Sequence, residues 1–113
     1  MHFTARSLGT LPLALALLPA LFAAPTLAQY SKKILVEITS LDFVPKTVRA
    51  KVGDTIVFIN KDVAAHTVTQ APGGWDSGAL ATDKAWLLKI ETVGTMTVFC
   101  RFQPRMEATL VVE

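Results

Sequence analysis

Residues 33–39 of the chain read KILVEIT, and this stretch decides the fold class. The apolar side chains of Ile34, Val36 and Ile38 stand two positions apart. The polar residues Lys33, Glu37 and Thr39 occupy the alternate positions. Successive side chains of an extended strand point to opposite faces, so this period of two predicts a strand with one buried face. A helix would repeat its apolar positions every three or four residues instead.

The same short period continues through the rest of the chain. Further strands are predicted at residues 47–52, 55–60, 66–69, 84–90, 94–100 and 108–112. The second of these is apolar throughout, which predicts a central strand covered on both faces, whereas the third alternates. Turn residues separate the strands, and no segment has helical periodicity. The pattern predicts one all-β domain of about seven to eight strands, an antiparallel sandwich or a barrel.

The first 28 residues have the composition of an export signal. Arg6 is followed by the mostly apolar residues 8–27, and residues 26–28 are a small-residue cleavage sequence. We predict cleavage after Ala28, so that residues 29–113 form the mature domain in the periplasm or another exported location. A membrane anchor is the alternative, but prolines interrupt the apolar run. No membrane insertion is therefore expected after cleavage.

The charge balance bears on the class of partner. The whole chain has 11 basic and 9 acidic residues, a formal net charge of +2. Such a balance argues against a nucleic-acid partner, and no run of lysine and arginine indicates a membrane surface. We expect a monomer.

Metal-competent side chains are placed at the ends of predicted strands. Cys100 is the only cysteine, so it forms no internal disulfide, and it ends its strand. His66 opens another strand, and Met106 follows Cys100 by six residues. Thiolate, imidazole and thioether together favour copper over calcium, magnesium or manganese. The alternatives are a buried inert thiol, a core histidine and a methionine that only fills the core.

Five segments together resemble the small blue copper proteins, or cupredoxins. They are Phe43-Val44-Pro45, Val52 to Asn60, His66-Thr67-Val68, Trp75-Asp76-Ser77-Gly78 and Gly94 to Cys100. The short loop from Cys100 to Met106 is most similar to that of the amicyanins, and plastocyanins and pseudoazurins are relatives with longer loops. The resemblance implies a cupredoxin-like Greek-key β-sandwich.

The resemblance also implies one copper ion per chain, held by two histidines, a cysteine and a weak axial methionine. On this chain it assigns His66 as the upstream histidine, Cys100 as the thiolate and Met106 as the axial ligand. The second histidine is expected three residues after Cys100, where this chain has Gln103. A neutral amide oxygen is a harder and weaker donor than imidazole, so we expect weaker copper(II) binding and slower electron exchange.

Residues around this constellation have predicted supporting roles. Thr67 is expected to hydrogen-bond across to the Cys100 loop, and Asn60 to tie the same loops together, as residues that orient metal ligands do. For both, an ordinary structural role is the alternative. Arg101 and Arg105 flank the site. One interpretation is a positive rim that favours an acidic partner, but we expect a pair of solvated arginines with no partner.

The leading prediction for function is one-electron transfer between redox protein partners. The alternative is a copper(I)-binding or copper-trafficking protein of the same fold. A third possibility is a thiol hydrolase with Cys100 as nucleophile and His66 as base, but the sequence shows no oxyanion-stabilising motif. We therefore predict that the protein is not an enzyme.

Overall fold

The computed structural model of the chain describes residues 31–113, which form two four-stranded sheets. The strands are β1 (Lys33–Thr39), β2 (Asp42–Val44), β3 (Thr47–Ala50), β4 (Thr55–Asn60), β5 (Thr69–Ala71), β6 (Ala85–Lys89), β7 (Gly94–Phe99) and β8 (Glu107–Val112). Within the described range, no helix is long and apolar enough to cross a membrane. The predicted export signal, residues 1–28, lies outside the described residues.

The two sheets pack face to face, which confirms the predicted all-β sandwich. Sheet A has the strand order β2-β1-β4-β6, and sheet B has the order β3-β8-β7-β5. The sheets are mixed rather than wholly antiparallel, because β1 pairs with β4 and β3 pairs with β8 in parallel. Parallel neighbours need a long connection. Here each connection includes strands of the opposite sheet: β3 lies between β1 and β4 in the chain, and β4 and β6 lie between β3 and β8.

The core lies between the sheets, and strand periodicity explains which side chains reach it. On β1, Val36 and Ile38 are fully buried and lie beside Phe58 and Asn60 of β4. Sheet B contributes its own alternating inward positions from β7 and β8. The largest fully buried apolar side chains are Phe43, Phe58, Ile38, Ile56, Leu110, Val36, Val68 and Val98.

Strand β4 is central, as predicted, but only one of its faces is covered. It lies between β1 and β6 in sheet A, with Ile56, Phe58 and Asn60 buried on the inner face. Val57 and Ile59, on the outer face, are only partly buried. The prediction of two covered faces was wrong, because an apolar run does not show whether a second layer lies over the outer face.

The predicted strand at residues 66–69 was also wrong in detail. Strand β5 begins only at Thr69, and His66 makes a single bridge to Leu80. All four residues from 66 to 69 are buried, so burial does not alternate along this segment. The segment passes beneath the loops at one end of the sandwich, where both of its sides meet protein.

A tight turn at Gly53 and Asp54 closes the opposite end. Gly53 has φ of +102°, a conformation that glycine adopts without steric cost, and its N–H donates to the carbonyl of Ile90 at 2.9 Å. The carboxylate of Asp54 is buried and accepts the backbone N–H groups of Lys32 at 3.0 Å and Lys51 at 2.9 Å. The Lys51 amide contributes most to holding the pKa of Asp54 below its usual range.

We predict that Asp54→Ala lowers the free energy of unfolding by about 1–3 kcal/mol at neutral pH, because two backbone donors lose their acceptor. The depressed pKa means that this stabilisation is present above the unfolded-state pKa of about 3.9 and is lost as pH falls through the folded-state value. Urea unfolding at neutral and acidic pH measures both effects. The exposed Glu91→Ala is the control, expected within about 0.5 kcal/mol of wild type. An equal loss at every pH would contradict this role for the carboxylate.

Candidate metal centre

His66 and Cys100 meet at the end of the sandwich where β4 and β7 finish. Cys100 directly follows β7, and His66 is fixed by reciprocal backbone hydrogen bonds with Leu80, at 3.2 and 2.7 Å. The Nδ1 atom of His66 lies 3.6 Å from the Sγ atom of Cys100, and both side chains are fully buried. The fold therefore brings together an imidazole and a thiol that are 34 residues apart in the sequence.

The loop that follows Cys100 brings the main chain of Met106 back to Cys100. Main-chain hydrogen bonds close the loop: the N–H of Cys100 donates to the carbonyl of Met106 at 3.2 Å, and that of Met106 to the carbonyl of Gln103 at 2.8 Å. The Met106 side chain is buried in the core cluster that also contains Cys100. Gln103, in the middle of the loop, is exposed.

Hydrogen-bond donors surround the sulfur of Cys100. The backbone N–H of Thr67 donates to Sγ at 3.3 Å, and the N–H groups of Phe102 and Gln103 lie in the loop that directly follows Cys100. Burial alone raises the pKa of the thiol, but the Thr67 amide, the His66 ring and the two loop amides together lower it below its usual range. The site therefore makes the thiol easier to ionise to the thiolate, the form of cysteine that binds metals.

The second ring nitrogen of His66 is held by a carboxylate. Its Nε2 atom lies 2.9 Å from Oδ2 of Asp62, and because a carboxylate only accepts, Nε2 carries the proton. Asp62 also accepts the N–H groups of Ser40 at 2.7 Å and Leu41 at 2.9 Å. Burial acts to raise the pKa of Asp62, but these amides and His66 lower it below its usual range. The arrangement turns Nδ1 toward Cys100, as carboxylates do for metal-binding histidines.

Asp62 was not predicted from the sequence. It stands four residues before His66, a spacing that brings side chains together on a helix but has no fixed meaning in a loop. The one sequence feature that could have indicated this contact is an acidic residue shortly before the candidate histidine. That signal is weak, because exposed turns commonly contain aspartate.

Asn60 and Thr67 lie where they connect the segments of the site. The buried Asn60 amide donates to the carbonyls of Ala64 at 2.9 Å and Leu80 at 2.8 Å. The buried hydroxyl of Thr67 accepts the backbone N–H of Arg101 at 2.8 Å. Asn60 thus spans the His66 side of the site, whereas Thr67 joins the His66 segment to the Cys100 loop.

Arg101 is not the unpaired arginine that the sequence led us to expect. Its Nε donates to Oδ2 of Asp76 at 2.6 Å, and its terminal nitrogen donates to Oδ1 at 3.3 Å. The guanidinium holds the pKa of Asp76 below its usual range. The prediction was wrong because the long loop that contains Asp76 folds back against the site, which neither segment indicates alone. No such pairing was found for Arg105 among residues 31–113.

The donor set determines which metal ions fit. No cluster of three or more histidine, cysteine, aspartate or glutamate side chains occurs within residues 31–113, so a zinc-type or calcium-type site is not formed there. One imidazole, one thiolate and a buried thioether are soft or borderline donors. These three residues fit a copper ion, and the set lacks one imidazole of the two found in blue copper sites.

Comparison with known families agrees with this geometry. A family model described as a cupredoxin-like domain matches residues 12–112. The chain belongs to the cupredoxin-like family.

Individual relatives of this cupredoxin are amicyanins and their structural neighbours. Amicyanin from Paracoccus denitrificans is 30% identical over 97 residues, covering 81% of this chain and 72% of that protein. A copper(I) structure of a methionine-to-alanine variant of amicyanin superposes with a TM-score of 0.68 at 26% identity, covering 72% of this chain and 82% of that one. A purple cupredoxin from Nitrosopumilus maritimus has a TM-score of 0.66 at 18% identity, covering 71% and 99%, which shows the fold alone.

We predict that the thiol of metal-free protein ionises at lower pH than the same thiol in the unfolded chain. The depressed pKa means that thiolate formation stabilises the fold above the unfolded-state pKa of about 8.5, and that this contribution is lost as pH falls through the folded-state value. Ultraviolet thiolate absorbance followed against pH, with and without denaturant, measures the difference. His66→Leu removes one stabilising partner and should titrate at higher pH than wild type. A folded thiol that titrates with or above the unfolded one would contradict the prediction.

Proposed function

We propose that this protein carries single electrons between redox partners by means of one copper ion bound to His66, Cys100 and Met106. The observation that carries the proposal is the buried pair formed by His66 Nδ1 and Cys100 Sγ, 3.6 Å apart. These two atoms are the donors through which His66 and Cys100 would hold the ion. The buried Met106, whose main chain hydrogen-bonds to Cys100, would supply the third donor.

The surrounding residues prepare this pair for a metal. Bound copper would supply the one-electron couple. Asp62 keeps the imidazole in one tautomer and orientation, so the lone pair of Nδ1 faces the sulfur and would be available to a metal ion. The Thr67 amide, which donates to Sγ, and the amides of the following loop stabilise negative charge on the sulfur and so lower its pKa. Burial of the ligands excludes water and limits rearrangement between the two charge states.

Gln103 leaves one side of the site without its usual imidazole. Its side chain is exposed, whereas its backbone closes the loop between Cys100 and Met106. Copper(I) accepts few and soft ligands, but copper(II) prefers the nitrogen donor that is missing. The proposed site therefore favours copper(I), which corresponds to a high reduction potential. Electron exchange through the side of the site that Gln103 occupies is expected to be slower.

A redox partner would meet the site at the surface formed by its two loops. Val63 is 96% exposed on the His66 side, and Phe102 is 50% exposed on the Cys100 side. Apolar side chains at this position suit transient docking with another protein. Arg101 is neutralised by Asp76, so Arg105 is the cation of this loop that remains to favour an acidic partner. We also propose that the protein acts after export, in the periplasm or an equivalent compartment.

The second candidate function is copper(I) binding or trafficking. The exposed position of Gln103 favours it, because an incomplete ligand set at the surface allows another protein to supply a donor and take the ion. A thiol hydrolase is not favoured, since Cys100 is fully buried and offers a substrate no access.

Voltammetry of the copper-loaded protein separates these two functions. An electron carrier should cycle reversibly and exchange electrons quickly with the electrode. A trafficking protein should instead lose its ion on oxidation and pass copper(I) to an acceptor chelator. A signal that remains irreversible at slow scan rates, with copper still bound, would exclude the electron-carrier proposal.

We predict that Gln103→His raises copper(II) affinity by more than roughly 100-fold, beyond the range typical of changes outside the ligand shell. It should also produce an intense blue absorption band that wild type shows weakly or not at all. Titration of metal-free protein with cupric salt, monitored by visible absorption, measures both effects. Arg105→His is the matched control, since it adds an imidazole to the same loop two positions away. Equal blue bands in wild type and Gln103→His would contradict the assigned role of this position.

A further inference from the structure

The outer face of sheet A has an uncovered apolar row across its middle. Strand pairing aligns Leu35 of β1 with Val57 of β4, and Val57 with Leu87 of β6. Leu35 and Leu87 are each 56% exposed, and Val57 is partly buried between them. Large apolar side chains exposed singly are ordinary, but a row of them across neighbouring strands indicates a contact surface.

Charges at the two ends of this face have opposite signs. Lys33, Thr55 and Lys89 are aligned across one end, two residues from the apolar row on each strand. Glu37 lies at the other end of the face, where it is aligned with Ile59 of β4. Ile59 is in turn aligned with Ala85 of β6. The ion pairs found within residues 31–113 involve none of these three charged side chains.

This pattern is complementary to itself. Lys33 and Glu37 stand two residues on either side of Leu35, so a two-fold axis along the row from Leu35 to Leu87 exchanges their positions. A second copy related by this axis packs its apolar row on the first and places Lys33 of each copy opposite Glu37 of the other. A two-fold axis parallel to the strands would instead place Lys33 of one copy opposite Lys89 of the other, which would repel. Sheets that pack face to face with nearly aligned strands are a common arrangement.

We propose that two copies of this chain associate through the outer faces of sheet A, about a two-fold axis along the row Leu35, Val57 and Leu87. This association replaces the monomer expected from the sequence. The candidate metal centre lies beyond the end of β4 that is close to Glu37. The two centres therefore lie at opposite ends of the dimer, and each remains open to a redox partner. The dimer does not depend on a bound metal.

Sedimentation velocity of the exported protein over a range of concentrations tests the proposal. We expect a reversible monomer–dimer equilibrium that is the same with and without copper. Leu35→Lys combined with Leu87→Lys should give monomer at every concentration, while circular dichroism shows the unchanged β-sheet. Val93→Lys is the matched control: Val93 is 62% exposed but lies in the β6–β7 turn, off this face, and its variant should dimerise like wild type.

A charge exchange tests the orientation of the two copies. Glu37→Lys should weaken the dimer on the order of tenfold, because two exposed ion pairs are replaced by two repulsive pairs. Lys33→Glu should do the same, and the double variant should restore wild-type affinity. Failure of this rescue would overturn the proposed axis. Wild-type protein that stays monomeric, or a dimer that survives the double lysine substitution, would overturn the interface and assign the face to another occupant or to solvent.

Discussion

The sulfur of Cys100 is the atom on which the arrangement of the metal end depends. It is fully buried, so its lone pairs must be satisfied within the protein, and the backbone N–H of Thr67 does this from the neighbouring segment. The same threonine accepts the N–H of Arg101 through its hydroxyl. Two contacts from one residue thus fix the distance between the chain that carries His66 and the chain that carries Cys100.

Around this sulfur, polar groups are placed in successive layers that restrict one another. Asp62 orients His66, two backbone amides from the β1–β2 turn orient Asp62, and the Asn60 amide fixes the loop that carries both. Such networks are rigid only when each member is satisfied. The sandwich supplies that condition by burying the network against its core, so the geometry of the centre is established by folding before any ion binds.

The sequence predicted those features that depend on local pattern. The period-two strands and the position of Cys100 at the end of its strand follow from alternation along the chain. The pairing of Arg101 with Asp76 and the contact of Asp62 with His66 could not be predicted, because they depend on how separate loops fold back on one another. The single covered face of β4 was missed for a related reason. An apolar run indicates that a strand packs against a core, but it does not show whether one face or both are covered.

The loop from Cys100 to Met106 is closed by its own main chain, and this has an evolutionary consequence. Because the hydrogen bonds at Gln103 use its N–H and carbonyl, the loop does not select the side chain at that position. Under the proposed function, substitution there would change the donor set of the metal centre while leaving folding almost untouched. A lineage can therefore gain or lose a donor at the rim by a single neutral step in stability, and closely similar sandwiches can diverge between shuttling electrons and handing over ions.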